Sequence, residues 1–276
     1  MSIEPNSGQP GAANSTQVGP SSEPTQPQGL AAQIYRSVFR HSFDDRPRNR
    51  LLQISSNVFL HLHPVQVRRH GLRARYTWGM GGLSFLTFLV TVVTGVILMF
   101  YYRPTHTLAY LDMKNLEHEI PFGMIQRNMH RWAAHAMVIT VWLHMLRVFL
   151  SGSYKKPREF NWVIGVALLT LTMLLSFTGY LLPWDQLAMW AVTVGTNMAA
   201  ATPFLGYQGP GAELTGVTDR TDIRALLLGG PNVGGETLLR FYVLHCIFIP
   251  IFAAVLMIVH FWRIRKDGGI SGPTDE

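Results

Sequence analysis

The chain has 276 residues, 48% hydrophobic and only 14% charged, with a formal net charge of +7; soluble domains carry roughly 25% charged residues, so an ordinary water-soluble globular domain is excluded. The single Cys246 excludes an internal disulfide and any multi-cysteine metal site, leaving iron–sulfur ligation, if involved, to a partner. The basic residues flank apolar runs rather than forming a surface cluster with aromatics, which excludes nucleic acid as a partner.

In chain order, residues 1–30 are rich in Ser, Pro, Gly and Gln and read as a disordered tail that cannot repay its ordering entropy. It lacks the apolar core of a secretory signal. Residues 31–75 form an amphipathic region, with Ile34, Tyr35, Val38 and Phe39 on a helical face opposite Arg36 and Arg40. That face suits either the membrane interface or the surface of a partner. Residues 76–270 hold four apolar runs, at about Trp78 to Tyr101, Ile125 to Leu150, Trp162 to Leu182 and Leu239 to Trp262. Each is long enough to cross a hydrocarbon core of roughly 30 Å. The runs are continuous rather than alternating, so they are helices and not barrel strands. The expected fold is an all-α membrane protein, a bundle of four transmembrane helices preceded by an interfacial helix.

Nine arginines precede the first span, Lys155, Lys156 and Arg158 fill the second connection, and Arg263, Arg265 and Lys266 follow the last span. With four spans these segments share one side, which the positive-inside rule makes cytoplasmic. The other connections carry Asp112, Glu117, Glu119, Glu213, Asp219, Asp222 and Glu236. Both termini are thus expected in the cytoplasm.

The second and fourth spans carry a histidine near each end. His130 and His144 are 14 residues apart, about 40° different in direction and about 21 Å apart along a uniform helix. His245 and His260 are 15 apart, about 60° and about 22 Å by the same geometry. The two helices run in the same direction, so His130 can face His245 near the outer side and His144 can face His260 near the inner side. A single histidine in a span also serves as a packing residue or a proton-path group. The matched spacing favours two pairs of imidazoles, each closing both axial positions of a haem iron, an arrangement for electron transfer rather than oxygen chemistry. Zinc fits less well, since no Cys, Asp or Glu lies near these positions in the spans to complete four ligands.

Gly81 and Gly95 in the first span, and Gly165 and Gly179 in the third, repeat the 14-residue interval. Small residues there leave room for a flat macrocycle, although glycines also mediate ordinary helix contacts. Arg127 lies one turn before His130 and Arg147 one turn after His144, positions suited to pairing haem propionates. Arg147 also has the reach to snorkel to the interface.

Taken with "FYYRPT", "HRW", "KKPRE", "TGYLLPWDQ", "LRFYVLH" and "HFW…GISGP" in order, these residues resemble the cytochrome b subunits of quinol-oxidising complexes, most closely the short b6 form. The resemblance spans about Tyr76 to Pro273. It implies two non-covalent, bis-histidine b haems and a quinol oxidised near the outer face. One electron would go to a Rieske iron–sulfur protein and the other across the membrane to an inner quinone, coupled to proton translocation, as in a quinol:cytochrome c or plastocyanin-type oxidoreductase. It also implies a separate subunit IV-like C-terminal half, a c-type cytochrome, surrounding lipid, a homodimeric complex and, most simply, the bacterial cytoplasmic membrane. Arg265 looks like the family's basic residue near the inner haem or quinone, and "AVTVGTNMAAATPFLG" like a surface helix forming one wall of the quinol pocket.

Two departures stand out. Gly79 occupies the place of the cysteine that attaches an additional c-type haem in cytochrome b6, which removes covalent attachment there and leaves only non-covalent binding open for a third haem. The segment "GYQGPGAELTGVTDRTDI" is an apparent insertion whose Gly, Pro and Asp content reads as an exposed loop. Two other readings of the four-helix pattern are a di-haem anchor of a hydrogenase or formate dehydrogenase, against which "KKPRE" and "TGYLLPWDQ" speak, and a haem-free transporter subunit.

Overall fold

The computed structural model describes residues 77–267, together with 29–31 and 34, which fall in a separate N-terminal unit of residues 1–41. The expected tail and nearly all of the amphipathic region lie outside the described residues. Among the described residues all regular structure is helical. Four helices are long and apolar enough to cross a membrane: α1 (Met80–Met99), α3 (Gly123–Leu150), α4 (Glu159–Leu181) and a continuous fourth span, Gly235–Lys266. The chain is an integral membrane protein. Between the spans lie α2 (Ala109–His118), α5 (Gln186–Ala200), α6 (Ala212–Thr215) and α7 (Ile223–Leu228). The fourth span divides into α8 (Gly235–Val243), one π turn (Leu244–Phe248) and α9 (Ile249–Lys266).

The bundle is apolar outside as well as inside, since hydrocarbon replaces water as its solvent. Leu86, Val93, Ile139 and Ile251 are all more than half exposed on the span surfaces. Polar side chains within the spans bond to their own helix: Thr91, Thr94, Thr172, Ser176 and Thr178 all donate to carbonyls three or four residues back, leaving no hydroxyl to face lipid unsatisfied. α1 packs chiefly on α3, and α9 on α4.

The two ends of the bundle differ. At one end, here the acidic end, α2 and α5–α7 close over the spans around a core of Tyr102, Ala109, Leu181, Ala188, Val192, Leu238 and Phe241. Tyr102 Oη donates to the Leu182 carbonyl at 2.7 Å, and burial pushes this phenol's pKa up. The Arg103 guanidinium donates twice to the Asp112 carboxylate, at 3.0 and 2.5 Å, and holds that carboxyl below the usual carboxylate range. At the other, basic end, the 151–158 turn meets the last turn of α9. There Arg263 is fully buried, 3.5 Å from Asp267 and over the Phe160 ring at 5.1 Å.

The chain turns from α4 into α5 at Trp184, whose φ of 54° is left-handed. Asp185 then caps α5 by accepting from the Ala188 N–H at 2.8 Å. The surface helix expected from Ala191 therefore begins at Gln186 and ends at Ala200. Most of the segment from Gly206 to Ile223 is exposed, as expected of a loop, but it contains the short helix α6 and is tied down at its end. Asp222 is buried, caps α7 by accepting from the Ala225 N–H at 2.8 Å, and accepts from the Tyr207 N–H at 3.4 Å. Asp222 is spent on holding the segment together, a use that composition does not distinguish from solvation, while Glu213, Asp219 and Arg220 stay exposed.

Candidate functional site: two stacked imidazole pairs

α3 and the fourth span bring the four histidines into two layers. His130 and His245 have ring centroids 6.2 Å apart with planes at 72°, and His144 and His260 are 6.4 Å apart at 82°. An imidazole nitrogen binds a transition metal at about 2 Å. Two such bonds on opposite sides of one ion, plus about 1 Å from each nitrogen to its ring centre, give about 6 Å. Both gaps match a single ion held between two rings.

The unequal sequence spacing in the two helices is reconciled by the π turn. Pro250 has no N–H to give to the Cys246 carbonyl, and its ring would press on that carbonyl in a regular helix. Widening the preceding turn to i→i+5 relieves the conflict and absorbs one residue. The 15 residues from His245 to His260 thus do the work of 14, and the 60° offset of a uniform helix does not arise.

At the acidic end the ring orientation is fixed from behind. His245 Nδ1 lies 3.0 Å from the Leu175 carbonyl and 3.3 Å from Thr178 Oγ1. A carbonyl only accepts, so Nδ1 carries the proton and Nε2 keeps its lone pair. His130 Nδ1 lies 3.0 Å from Thr94 Oγ1, whose own hydrogen goes to the Val90 carbonyl at 2.6 Å. The hydroxyl must therefore accept, and again Nε2 is left as the metal-binding atom. Gln126 Nε2 donates to the Thr94 carbonyl at 3.1 Å, tying α3 to α1 at this level. At the basic end His260 Nδ1 and Asn161 Oδ1 are buried without a hydrogen bond among the described residues. None of Thr94, Leu175, Thr178 and Pro250 announced a role in the sequence, since only the three-dimensional register shows which backbone or hydroxyl group stands behind each ring.

Each glycine of the four lies against one of the four rings. A Cβ at Gly81 would meet His144 Cε1 at 3.2 Å, one at Gly95 would meet His130 Cε1 at 3.1 Å, and one at Gly179 would meet His245 Cε1 at 2.5 Å. At Gly165 the nearest atoms are Met145 Sδ at 3.4 Å and His260 Cε1 at 3.9 Å, ordinary contacts. At Gly81, Gly95 and Gly179 the space left is thus filled first by imidazole. A cavity of about 100 Å³ adjoins the acidic-end pair, lined by Gly95, His130, Ala134, His245 and Cys246 among others. The donor set, the gap between rings and the apolar lining fit a haem, and a macrocycle larger than this cavity requires the lining side chains to move outward.

Of the arginines, Arg127 donates from Nη1 to Glu117 Oε1 on α2 at 2.6 Å, so its guanidinium is already partly engaged. Arg147 is 7% exposed and stays within the protein. Arg265 stands in the last turn of α9, one turn beyond His260. Gly79 is exposed at φ 66°, and a Cβ there would meet nothing within 4 Å.

Known proteins resemble this chain over most of its length. The family described as cytochrome b/b6/petB matches residues 70–268. Cytochrome b6 of Euglena gracilis is 44% identical over 194 residues, covering 70% of this chain and 83% of that protein, and cytochrome b6 of Porphyra purpurea gives the same figures. Among solved structures, a chain of a hyperthermophilic respiratory Complex III is similar with a TM-score of 0.63 at 27% identity, covering 83% of this chain and 55% of that one. The chain therefore spans about half the length of that solved relative.

Proposed function

Because this chain belongs to the cytochrome b/b6 family, we propose that it is the haem-carrying membrane subunit of a bc-type complex, moving electrons from quinol oxidation at the acidic end to a quinone at the basic end. The observation that carries this reading is the pair of imidazole gaps, 6.2 and 6.4 Å, set one above the other between the same two helices. An iron porphyrin bound at each layer would supply a one-electron carrier.

The chain's own residues then have separable roles. His130 and His245 would hold one iron and His144 and His260 the other, while Thr94 and the Leu175 carbonyl keep the first two rings in the tautomer that leaves Nε2 free to bind. Arg147, buried one turn from His144, would supply a cation for a propionate. Arg127 does the same near His130 while sharing its charge with Glu117. Arg265 contributes positive charge near the inner haem or quinone. Gly81, Gly95, Gly165 and Gly179 keep α1 and α4 close to the rings. The basic end is cytoplasmic by the charge asymmetry, in a bacterial inner membrane.

Partners in this reading are a Rieske iron–sulfur protein, a separate polypeptide corresponding to the other half of cytochrome b, and a c-type cytochrome, in a homodimeric assembly. The test is purification of the native complex, with a reduced-minus-oxidised absorbance spectrum and identification of its subunits. A low-spin b-type α-band and a co-purifying Rieske protein are expected. Absence of that band, or of any iron–sulfur partner, would overturn the reading.

A further inference from the structure

The outer face of α3 carries a titratable side chain that the two imidazole pairs do not use. His135 is exposed on that face, about 18 Å along the helix from Gly123 and about 22 Å from Leu150 by the helical rise, near mid-membrane depth. Arg131 lies one turn before it and is also exposed, and Asn128 lies one turn before Arg131. Farther along the same face the exposed residues are Ile139 and Trp142, both apolar. The polarity is thus confined to the half of the face nearer the acidic end.

Arg131 has a long stem and can carry its charge to the interface. An imidazole cannot reach that far. His135 Nδ1 lies 2.9 Å from the Arg131 carbonyl, so Nδ1 is the donor, and in the neutral ring Nε2 presents a lone pair outward. The ring is flanked by Trp132, 5.6 Å away by centroids and itself 69% exposed. A lone-pair acceptor facing hydrocarbon at that depth has nothing to accept from, and ionisable groups inside membranes face protein or cavities rather than lipid.

We propose that this face of α3 is the seam for a membrane helix of the companion polypeptide, and that His135 Nε2 accepts a hydrogen bond from a donor on that helix. The inference rests on the reading above, in which a separate polypeptide supplies the rest of the architecture. That this chain covers only 55% of the solved Complex III chain argues that further helices pack on the four-helix unit. The donor is a hydroxyl, an amide or a protonated carboxyl, the groups that complement an acceptor.

The test uses the purified native complex and reads the companion polypeptide retained per haem as detergent concentration rises. His135→Leu is expected to lower retention roughly three- to tenfold, the worth of one interhelical hydrogen bond in a membrane, with the haem spectrum unchanged. His135→Gln, which keeps an acceptor at a similar reach, restores most of it, and Ile251→Leu on the exposed surface of α9 leaves it unchanged. Wild-type retention in His135→Leu overturns the seam while leaving the functional reading intact. Absence of any companion polypeptide from the wild-type complex overturns both. Should His135→Leu lose its haems, a photo-reactive maleimide on His135→Cys, with Cys246→Ser, replaces it: an adduct with the companion polypeptide supports the proposal, and adducts only with lipid or with a second copy of this chain overturn it.

Discussion

The two ends of the bundle hold their imidazoles in different ways. At the acidic end each ring is fixed from behind, His245 by the Leu175 carbonyl and Thr178 and His130 by Thr94. At the basic end His260 Nδ1 makes no such hydrogen bond among the described residues, and the charged side chains Arg147, Arg158, Arg263 and Asp267 are all at least nine-tenths buried. One layer is fixed by neutral hydrogen bonds, and the other lies at the end of the bundle where charged side chains are buried. Two iron centres of identical ligands would therefore experience different fields, which is the condition for a directional pair of carriers.

Disturbing the register should have the largest effect on the two layers. Deleting Ile247 together with Pro250→Ala should turn the π turn into ordinary helix, leaving 14 residues between the histidines and both layers intact. Deleting Ala254, beyond the π turn, should rotate His260 by about 100° and abolish haem binding in the basic-end layer. Haem content per chain measures both, and equal loss in the two variants would refute the register argument.

The glycines come next. Gly179→Ala puts a Cβ 2.5 Å from His245 Cε1 and forces that ring to move, whereas Gly165→Ala meets only contacts of 3.4 Å or more. Haem affinity of the acidic-end layer should fall by about tenfold or more in Gly179→Ala, whereas that of the basic-end layer, where Gly165 faces His260, should stay near wild type in Gly165→Ala. Absorbance titration with haem after extraction would show it. Equal behaviour would mean that the close approach is not what the glycine serves.

Removing the fixing groups sharpens the comparison further. Thr94→Val should weaken the acidic-end layer by roughly tenfold in affinity and shift its potential, while the basic-end layer keeps its own. A redox titration in which both components move together would contradict the separation of the two layers.

Much of this was legible before any coordinates. Four continuous apolar runs implied four spanning helices, because hydrocarbon admits no other arrangement of the backbone. The fourth span nevertheless runs four residues past its apolar run at each end, from Gly235 and to Lys266. There the polar flanks stay helical, with Thr237 Oγ1 accepting from the Gly234 N–H at 3.1 Å and basic residues in the last turn. Hydropathy does not register such ends. The 14-residue interval pointed to paired layers, but the 15-residue one became intelligible only with the π turn before Pro250. The groups behind the rings were invisible because a threonine bonding its own helix and one also holding an imidazole look alike in sequence.

The smallest effect concerns the cover at the acidic end. Arg103 holds the Asp112 carboxyl below its usual range, so the pair's contribution is present above roughly pH 4 and is lost as pH falls through the lowered value. Asp112→Asn should lower the unfolding midpoint by about 2–4 °C at neutral pH and by less in acid. A pH-independent difference would show that the charge is not what matters there.

Whether one iron sits between each imidazole pair is decided by counting haem per chain in the purified complex and in His130→Ala and His144→Ala. Two are expected in the wild type and one in each variant, with the surviving redox component different in the two. One haem in the wild type, or the same component lost from both variants, would contradict it.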